Sequence, residues 1–246
     1  MTKKKIVILE PAGGPWIPFL KNFFSDSFSE VVCAHDREAI LPFFSKSRPA
    51  MVFVAPSFLS LPFLQKIKVQ RQTNPSFRAY VIGDGTSLRA DPVFSASFDF
   101  IDRGAFGQKW AETLPLPGSV SLLAIDDEEE IGVVVCDYFR NRHAPVFQVR
   151  YARNGIQGFQ AIEKGRPDLI ILDIKMPEMD GREFYAELRR RGLDIPVVIF
   201  FDSISGDEIR EIRKYGNPPV AEKGNLGGSL LSLAVLVKKT LFFEGQ

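Results

Sequence analysis

The second half of the chain alternates short, wholly apolar runs with stretches of helical periodicity, and this alternation constrains the fold most. The runs "SVSLLAI", "DLIILD" and "IPVVIFF" are continuous, as in strands that are buried on both faces. Between the first two runs, apolar residues recur at the spacing of one helical face: Ile131, Val134, Val135, Tyr138 and Phe139. Five strands alternating with five helices after Ser119 predict an α/β unit with a parallel sheet covered on both sides.

The first half repeats this pattern less regularly. Its candidate strands are "KKIVILE", "SEVVCAHD", "AMVFVAP", "FRAYVIGDG" and "FDFIDRG", and "REAILPFFSKS" is typical of a broken helix. When the halves are overlaid, "KKIVILEP" falls on "VSLLAIDD", "PAMVFVAP" on "PDLIILDI" and "FIDRG" on "VAEKG". We therefore predict two tandem units, residues 1–112 and 120–246, joined by a Pro/Gly/Ser-rich linker over 113–119. Each is expected to hold a doubly wound, flavodoxin-like sheet with strand order 2-1-3-4-5.

Composition excludes several classes of protein and site. A formal net charge of +1 over 246 residues gives no strong positive potential with which to bind nucleic acid. The N-terminal apolar stretch Ile6–Leu9 is too short for a signal peptide, and "LLSLAVLV" is too short to span a bilayer, so we expect a cytoplasmic protein that does not engage a membrane. Cys33 and Cys136 are isolated and the chain has only two histidines, which argues against structural zinc and favours small core residues.

Three carboxylates lie at the ends of two strands of the second unit, and the predicted strand order places these two strands side by side. Asp126 and Asp127 end its first strand, and Asp173 ends its third. Ligands of doubly wound sheets bind beyond the carboxyl ends of the strands, where strand order reverses. Two carboxylates about 4 Å apart repel by roughly 4 kcal/mol at an effective dielectric near 20, so the cluster needs a cation. A few hard oxygen ligands suit Mg²⁺.

An ammonium group is expected at the same edge, because Lys223 ends the fifth strand. An aspartate flanked by a divalent ion and an ammonium is a plausible nucleophile toward phosphorus, with an acyl phosphate as the product. Each piece also has a simpler explanation. "DDEEE" by itself is typical of a solvated helix start, and a strand-terminal Asp is commonly a turn former. The joint occurrence of the four residues in the correct order of strands favours the chemical interpretation.

Residues from about 119 to 243 resemble the receiver domain of bacterial response regulators. The resemblance lies in "AIDDEEEI", in "ARNGIQGFQAI" and, almost letter for letter, in "PDLIILDIKMPEMDG". It implies that Asp173 is the phosphoacceptor and that Lys223 is the salt-bridging lysine of the site. It also implies a Mg²⁺ site made by Asp126, Asp127, Asp173 and the backbone carbonyl of Lys175, with Asp127 a direct ligand.

The resemblance also implies partners. The phosphoryl donor would be a histidine kinase or phosphotransfer protein, and receivers often pair, so a homodimer is possible. No DNA-binding or enzymatic output domain follows the last receiver helix, so we expect the output to be an interaction, with a separate protein or with the N-terminal half.

The chain departs from the receiver pattern at the positions that usually report phosphorylation. Phe201 stands where the family carries the Thr or Ser that binds the phosphoryl group, and Ser203 would replace that hydroxyl only with a shift of the loop. Val220 stands in place of the mobile aromatic residue, and Gly224 in place of the proline after the lysine. We expect phosphorylation chemistry with a non-standard switch.

The first half lacks the chemistry itself. Glu10 and Pro11 stand at the acidic pair, Ala55 at the phosphoacceptor and Arg103 at the lysine. Because alanine has no nucleophile, we predict a pseudo-receiver that cannot be phosphorylated. Its phenylalanine-rich segments are expected to fill the core, with a partner surface as the alternative.

Three functions fit these residues. The first is phosphorylation-dependent signalling, with no enzymatic activity beyond self-phosphorylation and autodephosphorylation. The second is a phosphorylation-independent scaffold or adaptor, which Phe201, Val220 and Gly224 favour and the intact carboxylates and lysine oppose. The third, an aspartate-nucleophile phosphatase, normally needs a second carboxylate two residues after the nucleophile, where this chain has Lys175.

Overall fold

The chain divides into two compact units, Met1–Thr113 and Leu114–Gln246. The computed structural model describes residues 4–25, 29–36, 44, 48–83, 86–101, 106–142 and 145–244. The predicted broken helix over 37–47, apart from Phe44, and the predicted lysine counterpart Arg103 lie outside these described residues. Each unit is an α/β domain built on one parallel sheet.

The first unit alternates strands with helices, as its sequence predicts. Its strands are β1 (Lys4–Leu9), β2 (Ser29–Ala34), β3 (Met51–Val54), β4 (Arg78–Ile82) and β5 (Asp99–Ile101). Its described helices are α1 (Trp16–Phe23), α2 (Leu61–Thr73), α3 (Thr86–Arg89), α4 (Pro92–Ser95) and α5 (Phe106–Glu112). The strands pair in parallel in the order β2-β1-β3-β4-β5, which confirms the predicted order.

Phenylalanine side chains fill much of the interior of the first unit. Phe24, Phe53 and Phe106 are almost fully buried and, with Trp110, form a set of edge-to-face, tilted and stacked ring pairs. On the opposite face of the sheet, Phe63, Phe77 and Phe98 pack against Val52, Val54 and Val81. Buried aromatic side chains contribute both area and specific ring geometry. Many of the phenylalanines in the first unit are therefore core residues, as expected from the sequence.

The second unit has the same architecture with longer, more regular elements. Its strands are β6 (Ser119–Ile125), β7 (Val146–Ala152), β8 (Leu169–Leu172), β9 (Val197–Phe201) and β10 (Val220–Glu222). Its helices are α6 (Glu129–Arg140), α7 (Gly155–Lys164), α8 (Gly181–Arg190), α9 (Gly206–Arg213) and α10 (Leu226–Glu244). The strands pair in parallel in the order β7-β6-β8-β9-β10, again the 2-1-3-4-5 arrangement.

Successive residues of β6 point to opposite faces of the sheet, and both faces are buried. Leu122 and Ala124 lie in a cluster with residues of α6 and α10, among them Val135, Phe139 and Leu233. Leu123 and Ile125 lie in a second cluster with residues of α7 and α8, among them Phe159, Phe184 and Leu188. A strand covered on both faces has no polar side to show, which is why its sequence is a continuous apolar run.

Two details differ from the sequence predictions. In α6, Cys136 is buried, which confirms its predicted core position, but Val134 is 37% exposed, so the buried face is turned relative to the predicted stripe. Cys33 is only partly buried because β2 lies at the edge of its sheet, whereas we predicted a core position. Within the described part of the chain, no helix is both long and apolar enough to cross a membrane.

Candidate functional site

The register of the central strands brings the predicted acidic residues to one edge of the second sheet. Ile125, the last residue of β6, pairs with Ala152 of β7 on one side and Leu172 of β8 on the other. The next residue on each central strand is an aspartate. The Asp126 amide donates to the Ala152 carbonyl at 3.1 Å, and the Asp173 amide donates to the Ile125 carbonyl at 2.9 Å.

Lys223 reaches the same edge from the end of β10. Its amide donates to the Phe201 carbonyl at 2.6 Å, which fixes the residue beside β9. Its ammonium Nζ lies 3.0 Å from Asp126 Oδ2 and 3.3 Å from Asp173 Oδ1. All three side chains are nearly buried, with exposed fractions of 5% for Lys223, 7% for Asp126 and 6% for Asp173. One ammonium therefore bridges two buried carboxylates that would otherwise repel each other.

Asp127 completes a group of three carboxylates. Asp126, Asp127 and Asp173 each offer an oxygen, and these oxygens all lie within 4.8 Å of one another. Asp127 is exposed, so the group opens to solvent on its side. Several hard oxygen donors with an open side, where waters complete the coordination, suit Mg²⁺. The residues present therefore fit the predicted ion.

Burial and mutual repulsion set the protonation behaviour of the site. Burial raises the pKa of Asp173 to about 6; the Lys223 ammonium opposes this rise, and the Asp126 carboxylate adds to it. Burial also raises the pKa of Asp126, although Lys223 offsets part of the effect. Burial alone would lower the pKa of Lys223, but Asp173 and Asp126 outweigh it and the net direction is upward. The site thus holds more negative charge than one lysine balances.

The segment after Asp173 folds back tightly, which explains its "MDG" sequence. The Asp180 side chain accepts from the Glu183 amide at 2.9 Å, and the Glu183 side chain accepts from the Asp180 amide at 3.2 Å. This capping box starts α8. A Cβ on Gly181 would lie 2.0 Å from the Asp173 carbonyl oxygen, so only glycine fits there. The turn thereby fixes the backbone of Asp173.

The positions expected to report phosphorylation lie on β9 and β10. Phe201 ends β9 and packs against the cluster that contains Ile174 and Met176, and Val220 begins β10 with 48% of its side chain exposed. The hydroxyl of Ser203 accepts a hydrogen bond from Lys175 Nζ at 2.6 Å. Lys175 and Ser203 therefore connect the loop after Asp173 to the loop after β9.

The first unit repeats the backbone geometry of the site with other side chains. The Glu10 amide donates to Ala34 O at 3.3 Å and the Ala55 amide donates to Leu9 O at 2.8 Å, as Asp126 and Asp173 do with their own neighbours. The buried Glu10 carboxylate accepts from the amides of Trp16 and Ile17, at 3.1 and 2.9 Å, and so caps α1. The counterpart of the acidic pair is thus a helix cap, and the counterpart of Asp173 is an alanine.

Two contacts of the site were not predicted from the sequence. Glu128 Oε1 lies 3.4 Å from Lys223 Nζ, and the Glu128 amide donates to Asp126 Oδ1 at 3.1 Å. The Tyr151 hydroxyl donates to the backbone carbonyl of Asp126 at 2.7 Å. The run of glutamates after Asp127 predicted only the start of a helix. A tyrosine near the end of a strand does not by itself predict a hydrogen bond to the site.

Comparison with known proteins places this geometry in a family. Residues 122–218 match the model of the response regulator receiver domain. The match includes Asp126, Asp127 and Asp173, while Lys223 lies beyond it and is placed at the site by the ion pairs described above.

The relatives found include a sporulation phosphotransferase, response regulators and, over a shorter stretch, protein-glutamate methylesterases. Sporulation initiation phosphotransferase F of Bacillus subtilis (strain 168) is 33% identical over 95 residues, which are 39% of this chain and 74% of that protein. Response regulator MprA of Mycobacterium ulcerans (strain Agy99) is 32% identical over 89 residues, which are 35% of this chain and 37% of MprA. The chain thus spans little more than a third of MprA. A solved structure of the phosphorylated cyanobacterial phytochrome response regulator RcpA is 24% identical with a TM-score of 0.45, over 52% of this chain and 96% of that chain.

Proposed function

Because the chain belongs to the response regulator receiver family, we propose that it accepts a phosphoryl group on Asp173 from a histidine kinase or phosphotransfer protein. One observation carries this proposal. The Lys223 ammonium lies between the buried carboxylates of Asp126 and Asp173, and Asp127 offers a third carboxylate within 4.8 Å. This arrangement holds a nucleophile beside an excess of negative charge that a metal ion would balance.

In the proposed reaction, an Asp173 carboxylate oxygen attacks the phosphorus of a phosphohistidine. The P–O bond of an acyl phosphate forms while the P–N bond to the imidazole breaks. The imidazole leaves with the bonding electron pair and takes up a proton. In a separate step, water attacks the phosphorus of the acyl phosphate, the P–O bond to Asp173 breaks, and inorganic phosphate leaves, which restores the Asp173 carboxylate. The protein contributes position and charge neutralisation, which account for most of the catalysis in phosphoryl transfer.

The remaining side chains of the site hold charge during this transfer. Asp126, Asp127, Asp173 and the backbone carbonyl of Lys175 are the proposed ligands of Mg²⁺, which supplies positive charge against the phosphoryl oxygens when bound. The Lys223 ammonium lies 3.3 Å from Asp173 Oδ1 and is free to pair with a phosphoryl oxygen that replaces this contact. Burial of the site excludes water from one side of the nucleophile.

The output is proposed to be a protein–protein interaction driven by a non-standard switch. Phe201 has no hydroxyl with which to bind a phosphoryl group. In this proposal, the new negative charge on Asp173 draws the Lys175 ammonium away from the neutral Ser203 hydroxyl, to which it donates at 2.6 Å. The loop between β9 and α9 then loses its tie to the phosphoacceptor loop. A partner that recognises this loop and α9 would detect the change.

A second candidate function is a scaffold that uses the receiver fold without phosphorylation. Phe201 and the exposed Val220 favour it, because both usual reporters of phosphorylation are replaced. The contacts of Lys223 with Asp126 and Asp173 oppose it, since a buried cluster of charge is costly to keep where it has no use.

Fluorine NMR of the full chain with Mg²⁺ and beryllofluoride, which mimics a bound phosphoryl group, separates the two functions. The signalling proposal predicts bound-fluoride resonances that disappear on chelation and in Asp173→Ala. The matched control Asp168→Ala removes an aspartate that precedes β8 at the other end of the strand, and it should keep the resonances. Absence of bound fluoride in the wild-type chain would support the scaffold instead.

A further inference from the structure

Tyr151 contacts the site through the backbone. It lies in β7, one residue before the strand ends, and its hydroxyl donates to the Asp126 carbonyl at 2.7 Å. This carbonyl belongs to the peptide group that joins Asp126 to Asp127. The contact therefore acts on the orientation of both acidic residues without touching either carboxylate.

The two acidic residues differ in how firmly they are otherwise held. The Asp126 side chain accepts from the Glu128 amide at 3.1 Å and pairs with Lys223 at 3.0 Å. The exposed Asp127 side chain makes no hydrogen bond or ion pair with any residue that the structure describes. The position of the Asp127 carboxylate therefore depends on the Asp127 backbone. The Tyr151 hydroxyl holds the peptide group that links Asp126 to Asp127, and so it restrains this backbone.

Gly132 makes room for the Tyr151 ring. A Cβ on Gly132 would lie 2.1 Å from Cε2 and 2.6 Å from Cζ of Tyr151, far inside contact distance with a rigid ring. Glycine inside a helix costs roughly 0.5–1 kcal/mol relative to alanine. The helix α6 thus carries a destabilising residue at the one turn where the ring passes against it. The missing side chain of Gly132 leaves space for the Tyr151 ring, and the ring in that position brings its hydroxyl to the Asp126 carbonyl.

We propose that Tyr151 is a positioning residue of the metal site, seated by Gly132, which holds the peptide group between Asp126 and Asp127 so that the Asp127 carboxylate faces Asp173. The inference rests on the proposed Mg²⁺ site. Mutation of groups that orient metal ligands weakens metal affinity even where the ligands themselves remain.

The test is a Mg²⁺ titration of the ¹⁵N-labelled full chain, followed by the backbone amide shifts near Asp127 and Asp173. Tyr151→Phe keeps the ring and removes the hydroxyl, and it should weaken Mg²⁺ binding by about two- to tenfold, the range expected for one neutral hydrogen bond. Gly132→Ala should weaken binding to a similar extent in the wild-type background. In the Tyr151→Phe background, Gly132→Ala should add little, because both changes break the same contact.

The matched control is Tyr138→Phe, which removes a tyrosine hydroxyl on α6 that accepts a hydrogen bond from Arg142, just after the helix, rather than contacting the site. It should leave Mg²⁺ affinity unchanged. Equal Mg²⁺ affinity of Tyr151→Phe and the wild type would overturn the positioning role while leaving the metal site standing. Independent, additive effects of Gly132→Ala and Tyr151→Phe would overturn the seating role of Gly132. A wild-type chain whose amides do not respond to Mg²⁺ would overturn the proposed metal site, and this inference with it.

Discussion

At Asp173, burial and the neighbouring Asp126 raise the pKa to about 6, from an ordinary value of 3.8. The folded protein consequently binds more protons than the unfolded chain between these two pH values. Stability contributed by the protonated carboxyl is therefore present below pH 3.8 and is lost as the pH rises through about 6. At neutral pH the ionised Asp173 carboxylate therefore lowers the stability of the folded protein. A bound cation, or a phosphoryl group with its metal ion, would remove this destabilisation.

Asp173→Asn should accordingly stabilise the metal-free protein at neutral pH. The amide cannot ionise, so the variant avoids the cost of a buried carboxylate, about 1–3 kcal/mol in the free energy of unfolding. The gain should shrink toward pH 4, where the wild-type carboxyl becomes protonated. Urea unfolding in the presence of a chelator at several pH values measures this difference.

The exposed Asp202 in the loop after β9 supplies the control for that experiment. Asp202→Asn should leave the pH dependence of unfolding as in the wild type. A loss of stability in Asp173→Asn at neutral pH, or a gain that is constant across the pH range, would show that the ionised carboxylate is not a cost in the folded state.

The sequence predicts the carboxylates better than it predicts what holds them. Asp126, Asp127 and Asp173 follow apolar runs, so their place at the strand ends can be inferred from the pattern alone. The Tyr151 hydroxyl donates to a backbone carbonyl 25 residues away. Because every residue has a backbone carbonyl, the sequence does not indicate which one accepts this hydrogen bond. Glu10 shows the same limit: the sequence places it at the position of the acidic pair, but does not reveal that its carboxylate accepts the first amides of α1.

Among the elements, parallel strands are the best predicted and the connecting segments are the least. Each central strand of the second sheet is buried on both faces, so its apolar run is unambiguous, and the right order follows from the doubly wound pattern. The exposed face of α6 was predicted less well, because Val133 and Val134 are apolar yet 49% and 37% exposed. The short helices α3 and α4 of the first unit escaped prediction, since one turn of helix has too few residues to show a period.

The contact between Lys175 and Ser203 is a link between elements that a single loop sequence cannot reveal. Lys175→Met and Ser203→Ala should each accelerate amide hydrogen exchange in the loop between β9 and α9, by about two- to fivefold for an exposed hydrogen bond. The double variant should exchange no faster than either single variant, because both remove the same contact. Mass-spectrometric hydrogen exchange of the full chain measures this.

The control variant for the loop is Arg210→Gln, which removes an exposed ion pair with Asp207 inside α9. It should not alter exchange in the loop before the helix. If Lys175→Met leaves exchange in that loop unchanged, the link does not hold the loop and the proposed switch has lost its mechanism.

At the scale of the whole molecule, the chain carries two sheets of the same topology, and among the described residues a group of three carboxylates that could hold a metal ion is found at the second sheet. The overlay of "KKIVILEP" on "VSLLAIDD" predicted the duplication, and the matching hydrogen bonds at Glu10 and Asp126, and at Ala55 and Asp173, follow the same overlay. Chemistry is therefore predicted for the second unit alone. Restoring a carboxylate by Ala55→Asp would not supply the metal ligands, since Glu10 caps α1 and the next residue is Pro11.

Site-mapped phosphorylation tests the central claim most directly. The full chain is incubated with acetyl phosphate and Mg²⁺, and the acyl phosphate is located by peptide mass spectrometry after reductive trapping. We expect a single phosphoryl group on Asp173, which disappears with a chelator and in Asp173→Ala, and no label on the Ala55→Asp, Asp173→Ala double variant. Label on the double variant, or label on the wild type at any residue other than Asp173, would contradict the account.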